Sequence, residues 1–391
     1  MQDAFAVDPV SRASSFVATN PGLTAAVAIG VVVTVVVVAY LVFRRRRPNG
    51  VRFKNALAEH DDVAILMHPN PDPDAMAAAI GVACLARQVG TRPTIQFPGQ
   101  IRRQENRAFR TVLDLDFDRI AHVSDLAAEA VVLVDHNTPR GFAGAPGILP
   151  FAVVDHHPGD GSGERFTDVR TDYGATASIV AEYLADVGAK PVPPDIHESE
   201  VDATYTVPSG TATGLLYGIL ADTKHLTNGA SAPDYEAAGY LHGGIDDDAL
   251  DRIANPQVDA ETLEIKAQAI AGRQVDGSFA VSDVGTVSNT DAIPQAADEL
   301  ITLEGVSAVV VVGEREGTVH LSGRSRDDRV HMGRALEHVV DDTTGGSAGG
   351  HARMGGGTLP TPAAAATDGG SEVIDRDAVV DHVFAALNGD V

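Results

Sequence analysis

The 391-residue chain has one cysteine, no tryptophan and very little lysine. With Cys84 alone, no disulfide can form within the chain. Cys84 falls on the apolar face of an expected helix and reads as a small buried hydrophobe. Lys54, Lys190, Lys224 and Lys266 are the only lysines, and 29 basic against 54 acidic residues leave a formal charge of −25. Such a surface repels the phosphates of long nucleic acids. It equally suits a high-salt medium, where a short screening length weakens self-repulsion. The acidity is spread along the chain instead of gathered in a tail, which favours high-salt adaptation and leaves the substrate open.

Charge is also missing from Leu23 to Phe43, a run of about 20 residues that is long enough to cross a bilayer as a helix. Arg44-Arg45-Arg46-Arg47 follows directly, which predicts an outside N-terminus and a cytoplasmic remainder. No basic segment precedes the run and no cleavage site follows it, which argues against a secretory signal. The run has no polar face, which argues against a core helix. The expected location is therefore the cell membrane, crossed once, with the catalytic part inside.

From Val51 onward, short apolar runs alternate with helical patterns. Val63–Met67, Thr94–Phe97, Val131–Val134 and Phe151–Val154 read as strands, and Ala75–Val89, Ala175–Val187 and Gly210–Ala221 as helices. Alternation of this kind predicts an α/β domain with a mainly parallel sheet. Asp234–Ile270 reads as a helical connector. A second α/β unit follows, with strands at Phe279–Val281, Ala308–Val312 and Val319–Ser322 and helices near Met332–Val340 and Ala378–Leu387. The expected division is a tail (1–22), a membrane helix (23–43), a catalytic domain (51–232), the connector (233–272) and a substrate domain (273–391).

The stretch His68-Pro-Asn-Pro-Asp72-Pro-Asp74 lies where a strand ends and a helix begins. One imidazole and two carboxylates held by three prolines repel or stay solvated unless a cation joins them. Three further apolar runs end in acids: Asp135, Asp155-His156-His157 and Asp222. Ligands of open α/β sheets bind beyond the carboxyl ends of the strands, so these loops can converge. Carboxylates and imidazoles without thiolate suit Mn²⁺ better than a structural zinc, and the number of ligands suggests two ions. A pair of such ions can clamp a phosphoryl group and activate a water.

On these motifs the chain resembles the DHH phosphoesterase superfamily, whose name is the triplet Asp155-His156-His157. The resemblance implies one Mn²⁺ on His68 and Asp72, a second on Asp74, His156 and Asp222, and Asp135 bridging them. It implies His157 on the scissile phosphate and Asp155 supporting it from behind. The C-terminal unit resembles the DHHA1 domain through Gly349-Gly350-His351-Ala352-Arg353-Met354-Gly355-Gly356, although Ala348, Met354 and Gly355 depart from the usual pattern. This implies substrate contacts from Gly349, Gly350, His351, Gly355 and Gly356, joined by Arg324 and Ser325. His136 and His225 adjoin the same crevice without an assigned role.

The function expected is a membrane-anchored, manganese-dependent phosphodiesterase acting on short nucleotides: nanoRNA, a 3′-phosphorylated adenosine nucleotide, or cyclic di-AMP and its linear product pApA. The expected partners are that oligonucleotide or dinucleotide, the membrane, and a second copy of the chain. A pyrophosphatase or exopolyphosphatase would instead show a basic C-terminal domain, and a non-catalytic nucleotide-binding regulator would lack metal ligands.

Overall fold

The computed structural model describes residues 22, 25, 26, 29–35, 47–327, 329–341, 345–361 and 376–389. The expected span Leu23–Phe43 lies largely outside them. Its described part includes helical residues 29–35, where Ile29, Val31, Val32, Val33 and Val35 are exposed. Among the described residues no helix is long and apolar enough to cross a membrane.

The chain divides into two compact units. The first takes Ala108–Ala254 and the described residues before Arg102, and the second takes Arg102–Arg107 and residues from Asn255. The helical stretch Asp234–Ile270 divides between them.

The first unit opens with α1 (Asn49–Leu57). Its strands are β1 (Asp62–Met67), β2 (Arg92–Pro98), β3 (Asp118–Ile120), β4 (Val131–Val134), β5 (Ala152–Asp155) and β6 (Phe166–Val169). They form one wholly parallel sheet in the order β3-β2-β1-β4-β5-β6. β4 and β5 are buried at every position and β1 at all but its first, as a sheet covered on both faces requires. The apolar runs in the sequence are continuous for that reason. β1 and β4 stay paired to their last residues, and the order reverses between them, so the connections leaving their carboxyl ends run in opposite directions and leave a crevice there.

Helix α2 (Pro73–Gln88) leaves β1 and packs against β1, β2, α4 (Thr176–Asp186) and α5 (Ser209–Asp222). It is buried from Pro73 through Ala86, which explains its alanine content. The contact with α5 has no room for a side chain at Gly218, where a Cβ would lie 2.6 Å from that of Ala77. The unit closes with α6 (Ala232–Leu241) and α7 (Asp247–Ala254), and a small parallel pair, β7 (Lys190–Pro191) and β8 (Thr206–Val207), lies apart from the main sheet.

The second unit is a mixed six-stranded sheet in the order β13-β14-β12-β11-β10-β9. Only β10 (Phe279–Thr286) and β11 (Ala308–Arg315) pair in parallel. β9 (Gln274–Asp276), β12 (Thr318–Ser325), β13 (Ser347–Gly350) and β14 (Met354–Pro360) pair antiparallel. Alternate residues of β11 serve opposite faces. Val309 and Val311 pack with α8 (Ala260–Gly272) and α9 (Ala292–Leu300), whereas Val310 and Val312 pack with α10 (Met332–Asp341) and α11 (Arg376–Asn388).

Candidate metal centre

Each ligand expected from the sequence sits at the end of a buried element. His68 is the first residue after β1. Asp72 caps α2, its Oδ1 accepting the Ala75 N–H at 3.1 Å, with Pro73 at the first helical position, where its missing N–H leaves no gap. Asp74 lies in the first turn of α2 and is wholly buried. Asp135 follows β4 in the left-handed region (φ 61°), and its N–H donates to the Val154 carbonyl at 3.0 Å. Asp155 ends β5, and Asp222 ends α5.

The two inner histidines share one arrangement. In His68, Nδ1 lies 3.0 Å from the Pro69 carbonyl oxygen, and in His156, 3.2 Å from that of Tyr173. A carbonyl only accepts, so each Nδ1 carries a proton and each Nε2 faces inward, offering a lone pair once its own proton is gone. His68 Nε2 meets Asp135 Oδ2 at 3.4 Å and Asp72 Oδ1 at 3.6 Å. His156 Nε2 meets Asp222 Oδ2 at 3.3 Å, Asp135 Oδ1 at 3.5 Å and Asp74 Oδ2 at 4.0 Å. The buried His156 Nε2 makes no hydrogen bond. Imidazole nitrogens facing carboxylate oxygens at these separations are held together by protons or by cations, and the donor set fits divalent cations.

Ligand atoms gather accordingly into His68, Asp72 and Asp135 on one side and Asp74, His156 and Asp222 on the other. The two oxygens of Asp135 face one group each. His157 also approaches Asp135, at 3.5 Å, but its Nδ1 lies 3.0 Å from Asp155 Oδ1. Asp155 also accepts the His157 N–H, and Asn137 Nδ2 donates to its other oxygen at 2.7 Å. This leaves Nε2 of the half-exposed His157 ring without a role in that pairing.

The facing groups shift one another's proton affinities. Burial opposes charging His68 and His156, yet the facing carboxylates outweigh it and push both imidazoles up to about 10. Burial, with Asp135 and Asp222 beside it, holds the Asp74 carboxyl well above its ordinary range, and burial likewise raises Asp135. For the histidines the folded-state value lies above the ordinary 6.5. Their stabilisation of the cation-free protein is therefore complete below about pH 6.5 and is lost as the pH rises through about 10. A divalent cation entering at about pH 7 displaces these protons. Titration calorimetry in buffers of different ionisation enthalpy should show release of about two protons per chain, falling towards zero above about pH 10. Binding without proton release at neutral pH would contradict the arrangement.

Some supporting residues carry no motif in the sequence. Thr176 and Ala177, at the start of α4, bond to Asp74, and Thr176 also bonds to Asp135. Asn137 bonds to Asp155. Asp234 ties Gly174 and Ser178 to Ser231. The start of a helix after Gly174 was legible, but not what its first N–H groups hold. His136 is buried, with Nδ1 donating to Val134 at 2.9 Å, and burial lowers it to about 4. It lies edge-on to His68 and joins neither ligand group. His225 is exposed in a left-handed run from Lys224 to Leu226 just beyond Asp222.

In the second unit the expected glycine-rich loop is a hairpin. Gly349 pairs with Gly356 and Gly350 with Gly355 across β13 and β14, with exposed His351 at the turn. The glycines serve close packing: a Cβ at Gly350 (φ 151°) would lie 2.3 Å from the Met354 carbonyl oxygen. The first N–H groups of α10 donate to the His351 and Ala352 carbonyls. Arg324 and Ser325 lie beside this hairpin, Arg324 opposite Met354. Arg324 Nε donates to Asp298 at 2.5 Å, and Ser325 Oγ donates to the Asp327 carbonyl at 2.8 Å.

Both units have counterparts among known proteins. Residues 62–219 match the DHH family N-terminal domain and residues 276–376 the DHHA1 domain. An uncharacterized protein of Methanocaldococcus jannaschii is 34% identical over 302 residues, covering 76% of this chain and 57% of the relative. The cyclic-di-AMP phosphodiesterase GdpP of Geobacillus thermodenitrificans is 26% identical over 326 residues, covering 76% and 44%. The chain thus spans about half the length of these curated relatives. An exopolyphosphatase-related protein of Bacteroides fragilis has the same fold, with a TM-score of 0.60 at 15% identity over 87% of this chain and 96% of its own.

Proposed function

The chain belongs to the DHH superfamily of phosphoesterases, with a DHHA1 domain behind the DHH domain, and from that premise we propose a manganese-dependent phosphodiesterase of short nucleotides. The observation that carries the reading is the pair of inward Nε2 atoms, each fixed by a backbone carbonyl and set among carboxylates. His68, Asp72 and Asp135 would hold one Mn²⁺, and Asp74, His156 and Asp222 the other, with Asp135 shared. Bound there, the ions supply Lewis acidity towards a water and a phosphoryl oxygen. Asp155 orients His157 and, through its hydrogen bond, favours the charged imidazolium, whose remaining N–H can donate to a phosphate oxygen. In the second unit, the backbone and side chain of His351, with Gly349, Gly350, Gly355, Gly356, Arg324 and Ser325 around it, form the surface proposed for the nucleotide. That role requires Arg324 to exchange Asp298 for an anion.

The relative that is a cyclic-di-AMP phosphodiesterase supports a dinucleotide substrate. The uncharged run before Arg44–Arg47 supports attachment to the membrane with the two units on the cytoplasmic side. Self-association belongs to the same reading and is tested by sizing the purified protein. The DHHA1 match disfavours a pyrophosphatase or exopolyphosphatase with a basic second domain.

The deciding assay takes the full chain, in high salt with Mn²⁺, and offers cyclic di-AMP, linear pApA, a short RNA and pyrophosphate. Cleavage of the cyclic compound, or of the linear species alone, supports the reading and assigns the substrate. Turnover of pyrophosphate alone would overturn it.

A further inference from the structure

The first turn of α4 meets two ligand carboxylates at once. Asp74 Oδ2 accepts the Thr176 N–H at 2.7 Å, and Asp74 Oδ1 accepts the Ala177 N–H at 2.8 Å. Thr176 Oγ1 donates to Asp135 Oδ1 at 2.9 Å. Asp74, Asp135, Thr176 and Ala177 are all essentially without solvent contact. Two of these bonds come from the backbone and survive any substitution that keeps the helix. The third depends on one hydroxyl.

That hydroxyl acts where the remaining freedom lies. The backbone of Asp135 is fixed by its left-handed conformation and by its N–H bond to Val154. Its carboxylate can still rotate about the last side-chain torsion, which for Asp is broad and two-fold. A carboxylate that turned would present both oxygens to one side or place neither on the line between the two ligand groups. With Thr176 bound to Oδ1, that oxygen faces His156 Nε2 at 3.5 Å, and Oδ2 faces His68 Nε2 at 3.4 Å. A threonine hydroxyl offers one proton, and Oδ1 keeps a lone pair for a cation.

We propose that Thr176 is a positioning residue of the metal centre, its hydroxyl setting the rotation of Asp135 so that each carboxylate oxygen serves a different ion. The inference rests on the two-ion reading of the site. Outer partners of metal ligands commonly change affinity by about 10- to 100-fold. Here the change falls on the second ion to bind, because the first can be held whichever way Asp135 turns.

The test is Mn²⁺ binding by the full chain, freed of metal, measured by titration calorimetry and by electron paramagnetic resonance. Thr176→Val removes the hydroxyl at nearly constant volume and keeps the N–H bond to Asp74, whereas Thr176→Ser restores the hydroxyl. Wild type and Thr176→Ser should bind two ions and give the spectrum of an exchange-coupled pair. Thr176→Val should bind its first ion as wild type does and its second about tenfold more weakly or worse, losing the coupled signal at matched concentration. Thermal unfolding of the metal-free variants verifies that both fold. Two ions of wild-type affinity in Thr176→Val would overturn the proposal, as would equal loss in Thr176→Ser, which would make the role one of packing. A wild-type chain binding fewer than two ions overturns the site reading as well. No substrate enters the measurement, so a wrong substrate assignment leaves it intact.

Discussion

Asp135→Asn should lower turnover by about a thousandfold or more while leaving the fold in place. Among the described residues Asp135 is the carboxylate with one oxygen towards His68 and the other towards His156, so in the proposed centre its charge would serve both positions. Asparagine is the informative replacement because it tolerates the left-handed backbone and keeps an oxygen for Thr176. Alanine would add strain of about 1–2 kcal/mol at φ 61° and confuse the outcome. Asparagine also removes the charge facing His68 and His156, so the metal-free variant should unfold earlier than wild type, and calorimetry below that transition verifies that it is folded in the assay. Turnover within tenfold of wild type, at saturating Mn²⁺, would end the case for a shared ligand.

Asp234→Ala should destabilise the first unit by about 3 kcal/mol, the upper end of the cost of leaving a buried hydrogen-bond donor unpaired. The Asp234 carboxylate is wholly buried. It accepts the Gly174 N–H at 3.0 and 3.1 Å, the Ser178 hydroxyl at 2.6 Å, the Ser231 N–H at 2.7 Å and the Ser231 hydroxyl at 2.9 Å. Alanine leaves the fully buried Ser178 hydroxyl and the part-buried Gly174 and Ser231 donors without this acceptor. The expected fall in unfolding midpoint is about 10 °C. The metal site should feel the change too, because Tyr173, beside Gly174, provides the carbonyl that holds His156. Weaker Mn²⁺ binding below the transition is therefore expected. A midpoint within about 2 °C of wild type would show that the carboxylate does not brace these segments.

The residues gathered at the candidate centre were legible for a physical reason. A parallel sheet buried on both faces turns each strand into an unbroken apolar run, and the first acid after Met67, Val134 or Val154 marks the strand's carboxyl end, where ligands bind. Thr176 and Asp234 were not legible, because a hydroxyl or carboxylate finds its partner only after helices distant in sequence have packed. The glycines from Gly349 to Gly356 hid their strands. Glycine has no side chain to show the two-residue alternation, so the hairpin resembled a loop. Arg324 was visible as a candidate cation, but its tie to Asp298 on α9 belongs to tertiary structure. The helix α1 ahead of β1 gave too short a pattern beside the arginine run.

The strand order β3-β2-β1-β4-β5-β6 also governs when the centre can exist during synthesis. The chain first builds outward from β1 to β3, then returns to add β4 on the other side. A nascent chain ending just after α4 already contains His68, Asp72, Asp74, Asp135 and His156, but neither Asp222 nor the helix α5 against which α2 packs. Non-local pairing of this kind forms slowly. The growing polypeptide therefore carries the group of His68, Asp72 and Asp135 entire while the group of Asp74 and His156 still waits for Asp222 and α5.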